Sequence, residues 1–146
     1  MSELMHLSRS VGQSNYHLIW KPKWCHPILT GSVRRCCVAA LRRAAARHGI
    51  RLLEMEVMPD HIHVFVELKP SMSVSNAFQL LKGYSSRMLF EHFPNLRRRF
   101  RTGHLWSPGK FFRSVGAVTA DAIQRYIAES NRGSRQQQQL TRYPGL

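Results

Sequence analysis

His61-Ile62-His63 sets two imidazoles on either side of one apolar residue, directly after Pro59-Asp60. In an extended strand residues i and i+2 project to the same face, so the two rings would stand together with Cα atoms roughly 6.5 Å apart. Two neutral imidazoles at that spacing reach one divalent ion; Mn²⁺ and Zn²⁺ suit nitrogen ligands, whereas Mg²⁺ prefers more oxygen. A phosphate oxygen and water would complete the shell, and an ion so held polarises a phosphodiester as a Lewis acid. His-x-His alone is equally the pattern of two polar residues on a solvated strand. The nucleophile must come from elsewhere. There is no Gly-x-Ser-x-Gly elbow, and Cys25, Cys36 and Cys37 have no histidine at a suggestive spacing. Tyr126, in Ile123-Gln124-Arg125-Tyr126-Ile127, offers a phenol (unperturbed pKa about 10) able to attack phosphorus beside a metal and form a covalent phosphotyrosine. The same tyrosine continues an apolar helical stripe of Ala122, Ile123 and Ile127, so periodicity by itself would bury it.

Charge points to the substrate class. Lys+Arg number 22 against 8 Asp+Glu, a formal net charge of +14 on 146 residues. That excess suits a polyanion, nucleic acid first and an anionic membrane surface second. Arginine supplies most of it, which favours forked contacts to phosphate. Leu96-Arg97-Arg98-Arg99-Phe100-Arg101 packs four arginines into five positions around a phenylalanine. Its plain reading is a solvated loop. Its functional reading is a phosphate-tracking segment, with Phe100 available to stack on a base. Lys82, Lys110 and Arg113 would extend this surface, while Trp106 is expected to pack rather than stack.

The elements that would hold these groups follow from periodicity. Ser14 to Trp20 reads as a strand with Tyr16, Leu18 and Trp20 on one face and His17 and Ile19 on the other. A helix follows, capped by Ser32 and stopped by Gly49, with Val33, Cys36, Cys37, Ala40, Leu41 and Ala44 inward. Leu52 to Met58 reads as a strand with Leu53, Met55 and Val57 inward. After the Pro59-Asp60 turn, a strand from His61 to Leu68 turns Ile62, Val64, Val66 and Leu68 to the core and its histidines to an open, exposed face. A second helix spans about Val74 to His92, with Val74, Ala77, Phe78, Leu81, Met88 and Leu89 inward. Leu105-Trp106 and Lys110 to Val115 are strand material, and Thr119 caps a last helix from Ala120 to about Asn131. The resulting βαββαβ run folds as a ferredoxin-like α+β unit, an antiparallel sheet with helices on one face, and a surplus C-terminal helix carries Tyr126. One domain over residues 1–133 is expected, with a polar, disordered tail over 134–146. No signal-peptide pattern and no run of ~20 apolar residues is present, so a cytoplasmic protein with reduced thiols is expected.

Four stretches in order resemble the single-tyrosine HUH transposases of small insertion sequences that move as single-stranded DNA. They are Tyr16-His17-Leu18-Ile19-Trp20 with its basic turn; Met55 to His63, containing the HUH core; Leu81-Lys82-Gly83 with Ser85 or Ser86; and Gly103 to Pro108 followed by Ile123 to Ile127. The resemblance spans about residues 14–131. It implies a bacterial or archaeal DNA transposase, nucleoid-associated, that recognises imperfect hairpins at element ends. It implies Tyr126 as nucleophile, His61 and His63 as ligands of a divalent ion (Mg²⁺ or Mn²⁺), and no nucleotide cofactor. It further implies a 5′-phosphotyrosine intermediate, a free 3′-hydroxyl that later reseals the strands, and a homodimer whose tyrosine helices act in trans. Ser130 stands where the family usually places a glutamine as third ligand. Glu129 shares the face of Tyr126 and is a harder substitute; Asn131, rotated about 140° from Tyr126, would need a local bulge. Fewer protein ligands, or an impaired copy, are the other solutions. A non-catalytic module that binds hairpin DNA or RNA is the competing reading.

Overall fold

The computed structural model describes residues 14–115 and Arg125. Four strands, β1 (Ser14–Trp20), β2 (Arg51–Met58), β3 (His61–Leu68) and β4 (Phe111–Val115), form one sheet in the order β2-β3-β1-β4 with every pair antiparallel. Helices α1 (Gly31–His48) and α2 (Val74–His92) cross over between β1 and β2 and between β3 and β4. Each crossover skips one strand, giving the two interleaved split βαβ units expected of a ferredoxin-like fold. Of the expected helix over 120–131 only Arg125 is described; Tyr126, Glu129, Ser130 and Asn131, and the tail over 134–146, lie outside the described residues. No described helix is long and apolar enough to cross a membrane.

The core forms where two periodicities meet. Leu18 and Trp20 of β1 and Ile62, Val64, Val66 and Leu68 of β3 turn one face of the sheet inward, and Cys37, Leu41 and Ala44 of α1 with Phe78, Leu81 and Leu89 of α2 cover it. Burial pushes the Cys37 thiol up to about 12, which keeps it protonated and inert. Helix α1 starts earlier than the Ser32 cap predicts: Thr30 is the N-cap residue, in extended conformation. At its other end Gly49 takes the left-handed conformation (φ 69°) that closes the helix. In α2, Ser73 accepts a hydrogen bond from the Asn76 N–H (3.1 Å), and Ser85 and Phe90 are buried while Met88 is only half-buried.

Two further expectations need correction. Strand β2 carries a bulge: Leu52 lies opposite Val66 and Glu54 opposite Phe65, leaving Leu53 as the extra residue. Leu52 therefore joins Met55 and Val57 against the core, and Leu53 packs instead on Phe65 across the sheet. The arginine run is a short helix, α3 (Pro94–Arg99), rather than a loop. Pro94 supplies its first position and forces Phe93 out of helical geometry, which breaks it from α2. Leu96 and Phe100, four residues apart, both turn inward. Phe100 is 1% exposed, so it is a core side chain and has no free face for a base.

A paired-histidine centre and its basic surroundings

Strand alternation sends His61 and His63 to the face away from α1 and α2, as the sequence predicts, but the rings are not exposed there. They are 8% and 6% exposed. The face is not bare, because His17 of β1 and Phe65 of β3, paired across the ladder, stack nearly parallel with ring centroids 4.5 Å apart. Leu53 of β2 and Val115 of β4 also pack on Phe65. The two ligand candidates stand edge to face, with ring centroids 4.7 Å apart.

Each ring is held by its Nδ1 atom. His61 Nδ1 donates to Asp60 Oδ1 at 2.7 Å, the carboxylate coming from the two-residue turn that starts β3. His63 Nδ1 lies 3.0 Å from Nε2 of His17. Both Nε2 atoms are shielded from solvent and have no hydrogen-bond partner among the described residues. A buried polar atom left without a partner costs about 1–3 kcal/mol, so two of them side by side call for an external group. A ligand histidine anchored through its other ring nitrogen is the arrangement that metal sites use to fix the tautomer and orient the ring. With His63 keeping its Nε2 lone pair, its proton sits on Nδ1 and passes to His17 as a hydrogen bond.

Burial keeps the His63 and His17 rings neutral. Burial, then the neighbouring His61 and His17, push His63 down to about 4. Burial, then the Arg113 guanidinium, push His17 down to about 4 as well. Near neutral pH both therefore retain their lone pairs, the form a metal requires. His17 and Asp60 are the residues that reasoning from sequence missed. A carboxylate immediately before His61 in a tight turn is a usable signal for Asp60. His17 has only its parity on β1, and its contact with His63 depends on strand register. The described residues hold no group of three His, Cys, Asp or Glu side chains placed to bind one ion.

The basic candidates fall into three places. Arg113 lies opposite His17 on β4, on the histidine face. Lys82, on α2, belongs to the other side of the sheet, and its ammonium donates to the carbonyls of Ser107 (2.9 Å) and Gly109 (3.5 Å), tying down the segment before β4. Desolvation, then Lys110, lowers the Lys82 pKa. The two lysines border a cavity of about 490 Å³ that also meets Lys23 and His104. Trp106 packs edge-on against Trp20 and donates its Nε1–H to the Lys82 carbonyl, so it packs as expected. Arg97, Arg98, Arg99 and Arg101 are all exposed. Arg97 lies over the Phe90 ring at 5.7 Å, Arg98 reaches Asn95 and Arg99 reaches His26. His61 and His63 are thus brought together, whereas the cationic residues surround the fold rather than converging on the pair.

Comparisons with known proteins agree with this architecture. The family model described as "Transposase IS200 like" matches residues 10–130. The transposase for insertion sequence element IS200 of Salmonella typhimurium is 35% identical over 146 residues, covering 99% of this chain and 95% of its own. The ISDra2 transposase TnpA of Deinococcus radiodurans is 38% identical over 117 residues, 80% of this chain and 84% of that protein. A crystal structure of a transposase from Deinococcus radiodurans superposes with a TM-score of 0.66 at 34% identity, over 80% of this chain and 90% of that one. A REP-associated tyrosine transposase bound to a REP hairpin shares the fold, with a TM-score of 0.57 at 15% identity over 82% and 68% of the two chains. With its split βαβ sheet, a family model matched over residues 10–130 and relatives 35% and 38% identical, the chain belongs to the IS200-like transposase family, enzymes that cut DNA and transfer its strands.

Proposed function

We propose that this protein recognises hairpins at the ends of an insertion sequence and cuts and rejoins single-stranded DNA by metal-assisted attack of Tyr126. The observation that carries the reading is the pair of buried, unpartnered Nε2 atoms of His61 and His63, each ring locked through Nδ1. Metal dependence is general in the family, and two imidazoles with at most one further ligand from residues 129–131 would hold Mn²⁺ or Mg²⁺ with room for a phosphate oxygen. Such an ion, when bound, supplies Lewis-acid polarisation of the scissile phosphate. His17 and Asp60 orient the ligand rings and fix their tautomers, and Arg113 adds positive charge to the same face. The Tyr126 hydroxyl gives up its proton to solvent as its oxygen bonds to phosphorus, the bond from phosphorus to the 3′ oxygen breaks, and that oxygen takes up a proton to become a free 3′-hydroxyl. The 5′-phosphotyrosine keeps the energy of the phosphodiester, so a second strand's 3′-hydroxyl can reverse the step without a nucleotide cofactor. With DNA as substrate, residues 1–133 work as one catalytic domain in the cytoplasm.

The test is incubation of the full chain with a labelled single-stranded hairpin oligonucleotide and Mn²⁺, followed by denaturing electrophoresis. A band retarded by the mass of the protein is expected. A complex seen only under native conditions would instead leave a hairpin-binding module without catalysis.

Dimerisation has a physical candidate in β4. Among the described residues it is an edge strand, and Phe111 and Phe112 are 60% and 51% exposed on its opposite faces. An unprotected apolar edge is a template for pairing with another chain, and a second copy placed there would extend both sheets next to the histidine row. Sedimentation should give twice the chain mass, and Phe111→Lys should give a monomer. A monomeric wild-type protein that still forms the covalent band would exclude the trans arrangement.

A further inference from the structure

The turn that leaves β1 holds a tryptophan that the fold does not use. Trp24 is 68% exposed, whereas the other two tryptophans, Trp20 and Trp106, are 2% and 6% exposed in the core. It sits in a single 3₁₀ turn (Lys23–Cys25) with φ 56° and ψ 23°, and Cys25 beside it has φ 52°. Two consecutive non-glycine residues in the left-handed region are unfavourable, and such strain persists only where the surroundings enforce it. Here they do. The Lys23 N–H donates to the Leu105 carbonyl at 2.9 Å, the Cys25 N–H to Pro22 at 3.0 Å and the His26 N–H to Lys23 at 3.3 Å. The indole lies nearly parallel to the buried Phe100 ring (12°, centroids 6.3 Å apart), and His26 meets both rings edge-on. The Lys23 ammonium is 5.3 Å from the indole centroid, and Arg99 contacts His26.

Position matters as much as rigidity. Trp20, the last residue of β1, pairs with Ile62, so this turn departs from the end of the sheet at which β3 begins with its histidines. The Leu29 N–H donates to the Pro59 carbonyl at 3.0 Å, tying the same loop to the turn before His61. We propose that Trp24 is a stacking platform for an unpaired nucleobase of the single-stranded DNA, with Lys23, Arg99 and Arg101 taking the adjoining phosphates. The inference rests on the DNA-processing reading above and adds a recognition element to it. A rigid aromatic face rimmed by cations suits a base better than a protein partner, since stacking satisfies the ring while the cations neutralise the backbone.

The test uses (dT)20 and an abasic 20-mer of the same backbone, which differ in bases but not in charge. Base stacking on an aromatic is worth about 10- to 100-fold in affinity, so the wild-type protein should prefer (dT)20 by that order. Trp24→Ala should erase the preference while still binding the abasic strand, and Trp24→Phe should keep part of it. Tryptophan fluorescence should be quenched by (dT)20 and not by the abasic strand, and Trp24→Phe should abolish the quenching, because Trp20 and Trp106 are buried. Equal affinity of the wild type for both strands, no binding to (dT)20, or quenching that survives in Trp24→Phe overturns the platform. Covalent adduct formation by the wild-type protein, run in parallel, reports on the catalytic reading independently, so either can fail without the other.

Discussion

Replacing Tyr126 with phenylalanine should abolish the covalent protein–DNA adduct while leaving hairpin affinity within about twofold of wild type. The change removes one oxygen and nothing of the ring. The apolar body that continues the stripe of Ala122, Ile123 and Ile127 is kept, so a helix that packs through that stripe still packs. What is lost is the oxygen proposed to bond to phosphorus, and loss of a nucleophile lowers the rate by on the order of 10³-fold or more. The measurement is a denaturing gel of labelled hairpin with Mn²⁺, paired with a native titration. An adduct that persists in the variant would move the nucleophile to another of the four tyrosines. Tyr16 and Tyr84 are poor alternatives: Tyr16 packs against the core, and Tyr84 lies under the Arg87 guanidinium.

His61→Ala and His63→Ala should each reduce metal-dependent cleavage by about 10²- to 10⁴-fold. Each removes one of two buried, unpartnered Nε2 lone pairs, so an ion held by the pair would lose half of its imidazole ligands. The readout should not be activity alone. Mn²⁺ should raise the melting temperature of the wild-type protein, because an ion that binds only the folded state stabilises it by mass action. The same ion should leave both variants unmoved. Folding of the variants is checked in metal-free buffer, where wild type carries the unpartnered Nε2 atoms of both histidines and each variant keeps one of them. Full cleavage by either variant, or a Mn²⁺ shift retained by both, would remove the metal from the pair.

Local pattern was enough where one interaction decides the outcome. The alternation from Ile62 to Leu68, entered through Pro59-Asp60, delimits β3 to the residue, and the stripe through Phe78, Leu81 and Leu89 places α2 over the expected span from about Val74 to His92. The histidines' face followed from parity. Their burial did not, because it depends on which residues of β1 lie alongside, and His17 reaches them only through strand register. The Leu53 bulge also has no compositional mark; a period-2 reading carries Leu53 inward with Met55 and Val57, and the slip shows only when Leu52 pairs with Val66. Phe100 is a different kind of miss. Leu96 and Phe100 are four apart behind Pro94, a helical pairing that charge density concealed. Trp24 could not have been singled out by residue type, since nothing in Lys23-Trp24-Cys25 encodes two left-handed residues in succession.

The anchors of the two imidazoles come from very different distances along the chain. Asp60 is the immediate neighbour of His61, so a β2–β3 hairpin on its own could set that ring. His17 is 46 residues from His63, and their contact exists only after the intervening chain has closed a long loop and docked β1 in the middle of the sheet. One half of the centre is therefore local and early, the other global and late. A partly folded chain would own a single oriented imidazole, and the paired arrangement would wait for the whole sheet.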